Sequence, residues 1–248
     1  MKKTVASMAP FVLLWALVAT TVADWDVGGP CKMHSPQLPD PNGWDVNASI
    51  EEVADDWTCT LSAPVEDIHV WYSWKFDATD DFASVRVRIY DNVPAGPRGY
   101  SEPGNTLWER HFYPGEFATR VYGSGPQGWY DAVYGEVLPV NHMDILQVNI
   151  TEIADPFIQT EGEVYWLGIW FDILDYAGGA RAGWKTSIDH HLDAAVVMGQ
   201  VDGWQMLSDP ESGERLDMAF VITGVPEPAS MALLALGSLG ILARRRRR

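Results

Sequence analysis

Residues 68–76 fix the class of fold open to this chain. Ile68, Val70, Tyr72, Trp74 and Phe76 fall on one face and His69, Trp71, Ser73 and Lys75 on the other, the period-two pattern of a β-strand. Residues 84–91 repeat the pattern, with Val85, Val87 and Ile89 opposite Arg86, Arg88 and Tyr90. Residues 163–173 carry bulky groups on both faces, which predicts a central strand or one covered by a further layer. Further strands are expected at 106–112, 117–122, 128–134, 145–151, 180–186, 194–198, 204–207 and 215–223. Residues 92–104, with three prolines and three glycines, read as a loop. One short turn or helix is expected only within 47–56, where Ser49 would cap and Glu51 and Glu52 suit a first turn. Many short strands between Gly/Pro-rich turns predict an all-β chain: one β-sandwich or jelly-roll-like domain over residues 24–224.

Composition narrows the function. Of 17 Lys and Arg, seven sit at the two ends, leaving 10 in the interior against 34 Asp and Glu. An interior that acidic lacks the basic face a nucleic-acid binder needs. Disorder is excluded by 47% hydrophobic residues and 12 tryptophans, enough to build a core.

The two ends read as addresses. Residues 1–23 form a secretory signal: Lys2 and Lys3, an apolar run broken by Pro10, then Thr21 and Ala23 as small residues before the cut. The alternative, an uncleaved anchor, asks for a longer run, since a span takes about 20 residues. At the other end stand Pro226, Glu227 and Pro228, then an apolar stretch over 229–243, then Arg244, Arg245, Arg246, Arg247 and Arg248. As a transmembrane helix that stretch would rise about 22 Å, short of a hydrocarbon core of about 30 Å. The arginines would hold the C-terminus in the cytoplasm.

This tripartite tail, residues 225–248, resembles the PEP-CTERM sorting signal of bacterial exported proteins. The resemblance implies an exosortase-type processing enzyme as partner and a chain first anchored in the cytoplasmic membrane through its C-terminal helix. The final address would be the cell envelope, outer surface or extracellular matrix. A plain C-terminal anchor is the alternative. The body resembles an uncharacterised exported domain found with such tails. The stretches that carry this include Gly43-Trp44-Asp45-Val46-Asn47-Ala48, Ala54-Asp55-Asp56-Trp57-Thr58-Cys59 and Ile68-His69-Val70-Trp71-Tyr72-Ser73-Trp74, with Gly128-Trp129-Tyr130-Asp131 further on. That resemblance implies a β-sandwich of unassigned activity and supplies no catalytic residues.

Several residues are candidates for chemistry. Cys31 and Cys59 are the only cysteines, and an even count in an exported chain predicts a disulfide, against two free thiols. Its loop of about 28 residues would contribute about 3–4 kcal/mol. His190 and His191, beside Asp189 and Asp193, could approach a metal, but a solvated turn is the simpler reading. Asp77, Asp80 and Asp81 are candidate ligands for structural calcium, the one cofactor alternative to none; ordinary acidic surface is the rival. Trp71, Trp129 and Trp184 are candidate platforms for extracellular polysaccharide, against a place in the core. Carboxylate pairs such as Asp131 and Glu136 could serve a glycoside hydrolase. No Gly-x-Ser-x-Gly elbow, Walker A or dinucleotide fingerprint occurs. The sequence therefore predicts a non-enzymatic exported protein with a structural or interaction role, with a glycan-binding module second and a hydrolase third.

Overall fold

A computed structural model describes residues 24–224. The secretory signal, Pro226, Glu227, Pro228, the apolar stretch after them and Arg244 to Arg248 lie outside the described residues. Within them the chain is almost wholly β, and no helix there is long and apolar enough to cross a membrane.

Strands are numbered in chain order. One sheet contains β1 (Trp44–Asn47), β4 (Asp67–Trp74), β7 (Ala118–Asp131), β8 (Glu136–Ile150), β11 (Ala182–Lys185) and β14 (Phe220–Thr223). The other runs β13 (Gly203–Met206), β12 (Val196–Gly199), β2 (Val53–Thr58), β10 (Val164–Ile173), β5 (Phe82–Val93), β6 (Glu102–Phe112). A two-stranded ribbon pairs β3 (Ala63–Pro64) with β9 (Ile158–Gln159).

The first sheet closes on itself. β11 pairs with β1 on one edge and with β4 on the other. β4 pairs with β8, β8 with β7, and β7 with β1, the last in parallel. Five strands thus form a ring, and the pleat sends alternate side chains inside and outside it. Trp44, Val46, Tyr72, Trp74, Val148, Ala182 and Trp184 face outward. There they meet Val53, Trp57, Val85, Val87, Leu167 and Phe171 of the second sheet in one apolar core. Asp45, Ser73, Gln127, Trp129, His142 and Lys185 belong to the inward set and are all buried. Gly183 also faces in: a Cβ there would stand 2.8 Å from the Asp45 Cβ and 2.9 Å from the Trp129 ring.

The all-β expectation is borne out, and β10 is internal, with β2 on one side and β5 on the other. Of the short turn or helix expected within 47–56, the turn is what forms. Residues 48–50 are the turn between β1 and β2, and Val53 onward is strand. The two strands expected at 117–122 and 128–134 are one strand, β7, whose register against β8 shifts at three bulges.

The expected Cys31–Cys59 disulfide is absent, and both cysteines are free. An isolated antiparallel bridge sets Met33, not Cys31, opposite Cys59, so the cysteines are diagonal neighbours. Such pairs lie about 7–8 Å apart between Cα atoms, beyond the usual disulfide span of about 4.4–6.8 Å. Each thiol donates instead to a carbonyl two residues on, Cys31 to Met33 at 3.6 Å and Cys59 to Leu61 at 3.2 Å. Protein unfolded without reductant should therefore take up two alkylating groups by intact mass; uptake of none would restore the bridge.

Candidate functional site

The tryptophans proposed as sugar platforms are not on the surface. Trp71, Trp129 and Trp184 are each 0% exposed. Trp71 points into the ring, edge-on to Trp25 at 5.8 Å and Tyr122 at 5.2 Å. Trp129 shares the ring interior with His142. Trp184 faces the sandwich core, where its indole N–H donates to the Ala219 carbonyl at 2.8 Å. The face of β4 opposite its apolar side is closed by the ring, a feature that the alternation of one strand cannot reveal.

The open surface lies where β4, β6 and β10 end. The chain leaves β4 through a short 3-10 turn, Lys75–Asp77, in which Phe76 and Asp77 have φ of 61° and 52°. Non-glycine residues rarely adopt such angles, and here the neighbours hold them. Asn141 Oδ1 accepts the Phe76 N–H at 2.8 Å. The Asp77 carboxylate accepts the N–H groups of Met143 and Asp144 at 3.0–3.1 Å. The Lys75 ammonium pairs with Glu136. The Phe76 ring is left 65% exposed.

Asp80 ties this turn to the next. Its Oδ1 accepts from Asp81 N at 2.7 Å and its Oδ2 from Asp175 N at 3.2 Å. Asp175 in turn caps the 3-10 turn Tyr176–Gly178, accepting from Gly178 N at 3.0 Å. A cleft of about 460 Å³ opens here, walled by Tyr72, Asp81, Phe82, Phe117, Thr119 and Leu174. A neighbouring cleft of about 460 Å³ lies between Phe76, Asp80 and Gly178–Gly179. A third, of about 350 Å³, runs from Gly115 to residues 151–154. Asp77, Asp80 and Asp81, the candidate calcium ligands, thus sit together on this end. Asp77 and Asp80 are engaged with backbone amides, and no group of three or more His, Cys, Asp or Glu among the described residues could hold a metal ion.

The most perturbed ionisable groups lie elsewhere, at a seam between the sheets. Asp55 and Asp56 are consecutive on β2 and so point to opposite faces of it, and both are fully buried. The Asp55 carboxylate accepts from Gln37 Nε2 at 2.7 Å and from Met218 N at 2.6 Å. It thereby fastens residues 216–219 to β2 where no ladder reaches. Asp56 Oδ2 accepts from Asp193 N at 3.2 Å, while its Oδ1 has no partner. Asp217 accepts from His191 N at 2.8 Å and His190 Nδ1 at 3.2 Å. His34 stacks on His191, and the His191 Nε2 meets the Thr58 hydroxyl at 2.8 Å. Burial, reinforced by the neighbouring Asp217 charge, pushes the Asp56 carboxyl up to about 8. Burial also raises Asp55 and Asp217, and burial helped by His191 lowers His34 to about 3. His190 and His191 thus converge on Asp217; Asp189 instead accepts from Leu38 N at 3.1 Å.

A third assembly fills the ring. Asp45 Oδ2 accepts from His142 Nε2 at 2.8 Å and from Lys185 Nζ at 3.1 Å, and all three side chains are fully buried. Burial lowers the Lys185 pKa against the opposing pull of Asp45. Asp131 is drawn into the turn after β7, where it accepts from Asn47 Nδ2 at 2.8 Å and from Tyr134 N at 2.9 Å. Glu136 is engaged with Lys75, so these two carboxylates do not face a shared cleft.

A family model described as a domain of unknown function, DUF7901, matches residues 33–223. The chain belongs to the DUF7901 family. A second model, the PEP-CTERM protein-sorting motif, matches residues 224–248, which marks an exported protein, first held at the membrane and then processed by an exosortase-type enzyme. No curated protein and no solved structure matches the chain. The DUF7901 domain ends on β14, one residue before the sorting motif begins, and its exit is held in place. The Thr223 hydroxyl donates to Asp67 at 3.1 Å, and the Lys32 ammonium donates to the Pro64 carbonyl at 2.9 Å beside Gly224.

Proposed function

We propose that this DUF7901 protein serves a structural or interaction role in the cell envelope or extracellular matrix, without catalysis. Its partner there would be extracellular polysaccharide. The observation that carries this reading is the sorting motif joined to the last strand without a linker. Pro226 follows Gly224 by two residues, so the domain would stand against the membrane until the tail is cut. Five C-terminal arginines would keep the C-terminus cytoplasmic and the domain on the far side. Asp55, Asp56 and Asp217, with raised pKa, are buried in the seam and away from the open clefts, which loops and strand ends wall, and this separation favours binding over acid–base catalysis.

The test is a Pro226-Glu227-Pro228 to triple-alanine variant in the native host, followed by electrophoresis and membrane fractionation. The domain should fold as in the parent, and the protein should remain full-sized in the membrane fraction. Cleavage and release like the parent's would make the tail a plain anchor.

A further inference from the structure

The three clefts at the loop end share walls. Gly115 borders the cleft toward residues 151–154 and the central one, and Asp80 borders the central one and that beside Phe76. Together they line one trough across the end of the sandwich, with exposed Gly115, at φ of 98°, between two of them and nothing within 4 Å of where its Cβ would be.

At one end of the trough stands Phe76. Its ring serves no packing purpose in the core, yet two successive residues are held at positive φ to present it. Such angles are strained for residues other than glycine, and the amide bonds to Asn141 and Asp77 hold the turn in place. The half-buried ring of Phe117 walls the centre, beside exposed Thr119 and Asp81, while Tyr72 lies beneath as part of the core.

We infer that this trough is a binding site for an extended, uncharged carbohydrate chain. The inference rests on the interaction role proposed above and gives it a place and a chemical class. Aromatic faces take the CH faces of pyranose rings, while carboxylate and hydroxyl oxygens accept and donate to sugar hydroxyls. The charge of the walls selects among polymers. Asp80, Asp81, Glu116, Glu152 and Asp175 border the trough, and the one basic residue of these walls, Arg110, is already paired with Glu116 at 2.8 Å. A uronate or phosphate chain would meet like charge along the whole length. The length favours a polymer over a single sugar, because each cleft alone is of small-molecule size, about 300–1,000 Å³. An extended peptide would instead seek a free strand edge, and loops and strand ends build these walls.

The test is affinity electrophoresis of the full-length protein in detergent through gels containing a neutral glucan, galactan or mannan, or a polyuronate. At least one neutral polymer should retard the protein and the polyuronate should not. Phe76→Ala and Asp81→Ala should each weaken the retardation about tenfold. Val201→Ala, a residue 89% exposed on the turn between β12 and β13, should bind like the parent. The inference is overturned if no neutral polymer retards the protein, if the polyuronate retards it more, or if both trough variants bind like the parent. None of these results touches export or tail processing, so this failure is separable from that of the sorting reading.

Discussion

Replacing Asp45 with alanine should destabilise the protein by about 3–5 kcal/mol, because it leaves a buried ammonium without its counter-charge. Asp45 sits inside the ring, where its carboxylate holds both Lys185 and His142. Without it, the Lys185 ammonium keeps only the Trp44 carbonyl, at 3.4 Å, and His142 keeps only Asn141, at 3.2 Å. Burial already drives the Lys185 pKa down, and Asp45 is the main opposing influence. The double variant Asp45→Ala with Lys185→Met removes the stranded charge and should recover a large part of the loss. Urea unfolding of the parent and the two variants decides the matter. A loss below about 1 kcal/mol in the single variant, or a double variant weaker than the single, would show that the ring interior does not depend on this pair.

The strands of this fold were legible because alternation survives wherever one face meets an apolar core. Ile68, Val70, Tyr72 and Trp74 face that core as their pattern predicts. Closure of the ring was not legible. It depends on β11 finding both β1 and β4, and only four residues make those two ladders. Closure then buries the other face of β4, which is why Trp71 reads as exposed in the sequence and is sealed in the structure. The same blindness hid Asp45 and Lys185, each an ordinary polar residue on a short strand. Asp55 left a faint signal. Val53, Asp55 and Trp57 share one face of β2, and two of these are core residues. A carboxylate between them had to be buried and hydrogen-bonded. Reading residues 47–56 as a short turn or helix concealed it, since only the strand alternation puts Asp55 on the face of Trp57. The trough was invisible for another reason. Its walls come from loops after β4, β6 and β10, far apart in the chain, and no local pattern joins Phe76 to Gly115 or Asp175.

The seam around Asp56 should give the protein an unusual dependence on pH, losing stability as the solution turns alkaline. The Asp56 carboxyl is raised from 3.8 to about 8. A raised carboxyl favours the folded state while protonated, so its contribution is complete below pH 3.8 and is lost as pH rises through about 8. Asp55 and Asp217 are shifted in the same direction and add to the loss. The histidines set the acid side. His34 is lowered from 6.5 to about 3, so its contribution is complete above pH 6.5 and is lost as pH falls through about 3. His191 is lowered too, and by burial. Between pH 3.8 and 6.5 the opposing slopes of Asp56 and His34 cancel, so stability should fall on either side of that range. Few groups oppose the carboxylates from the elements packed around them. His190 reaches Asp217, and Arg215 stands 4.0 Å from Asp193. Asp56→Asn keeps an acceptor for the Asp193 N–H and removes the charge, so it should flatten the alkaline limb. At about 1.4 kcal/mol per pKa unit, the gain over the parent should approach about 6 kcal/mol by pH 9 and vanish near pH 4. Thermal unfolding of both proteins from pH 4 to 9 provides the measurement. An unchanged alkaline slope in the variant would falsify the seam as its source, because no other substitution-dependent charge then separates the two curves.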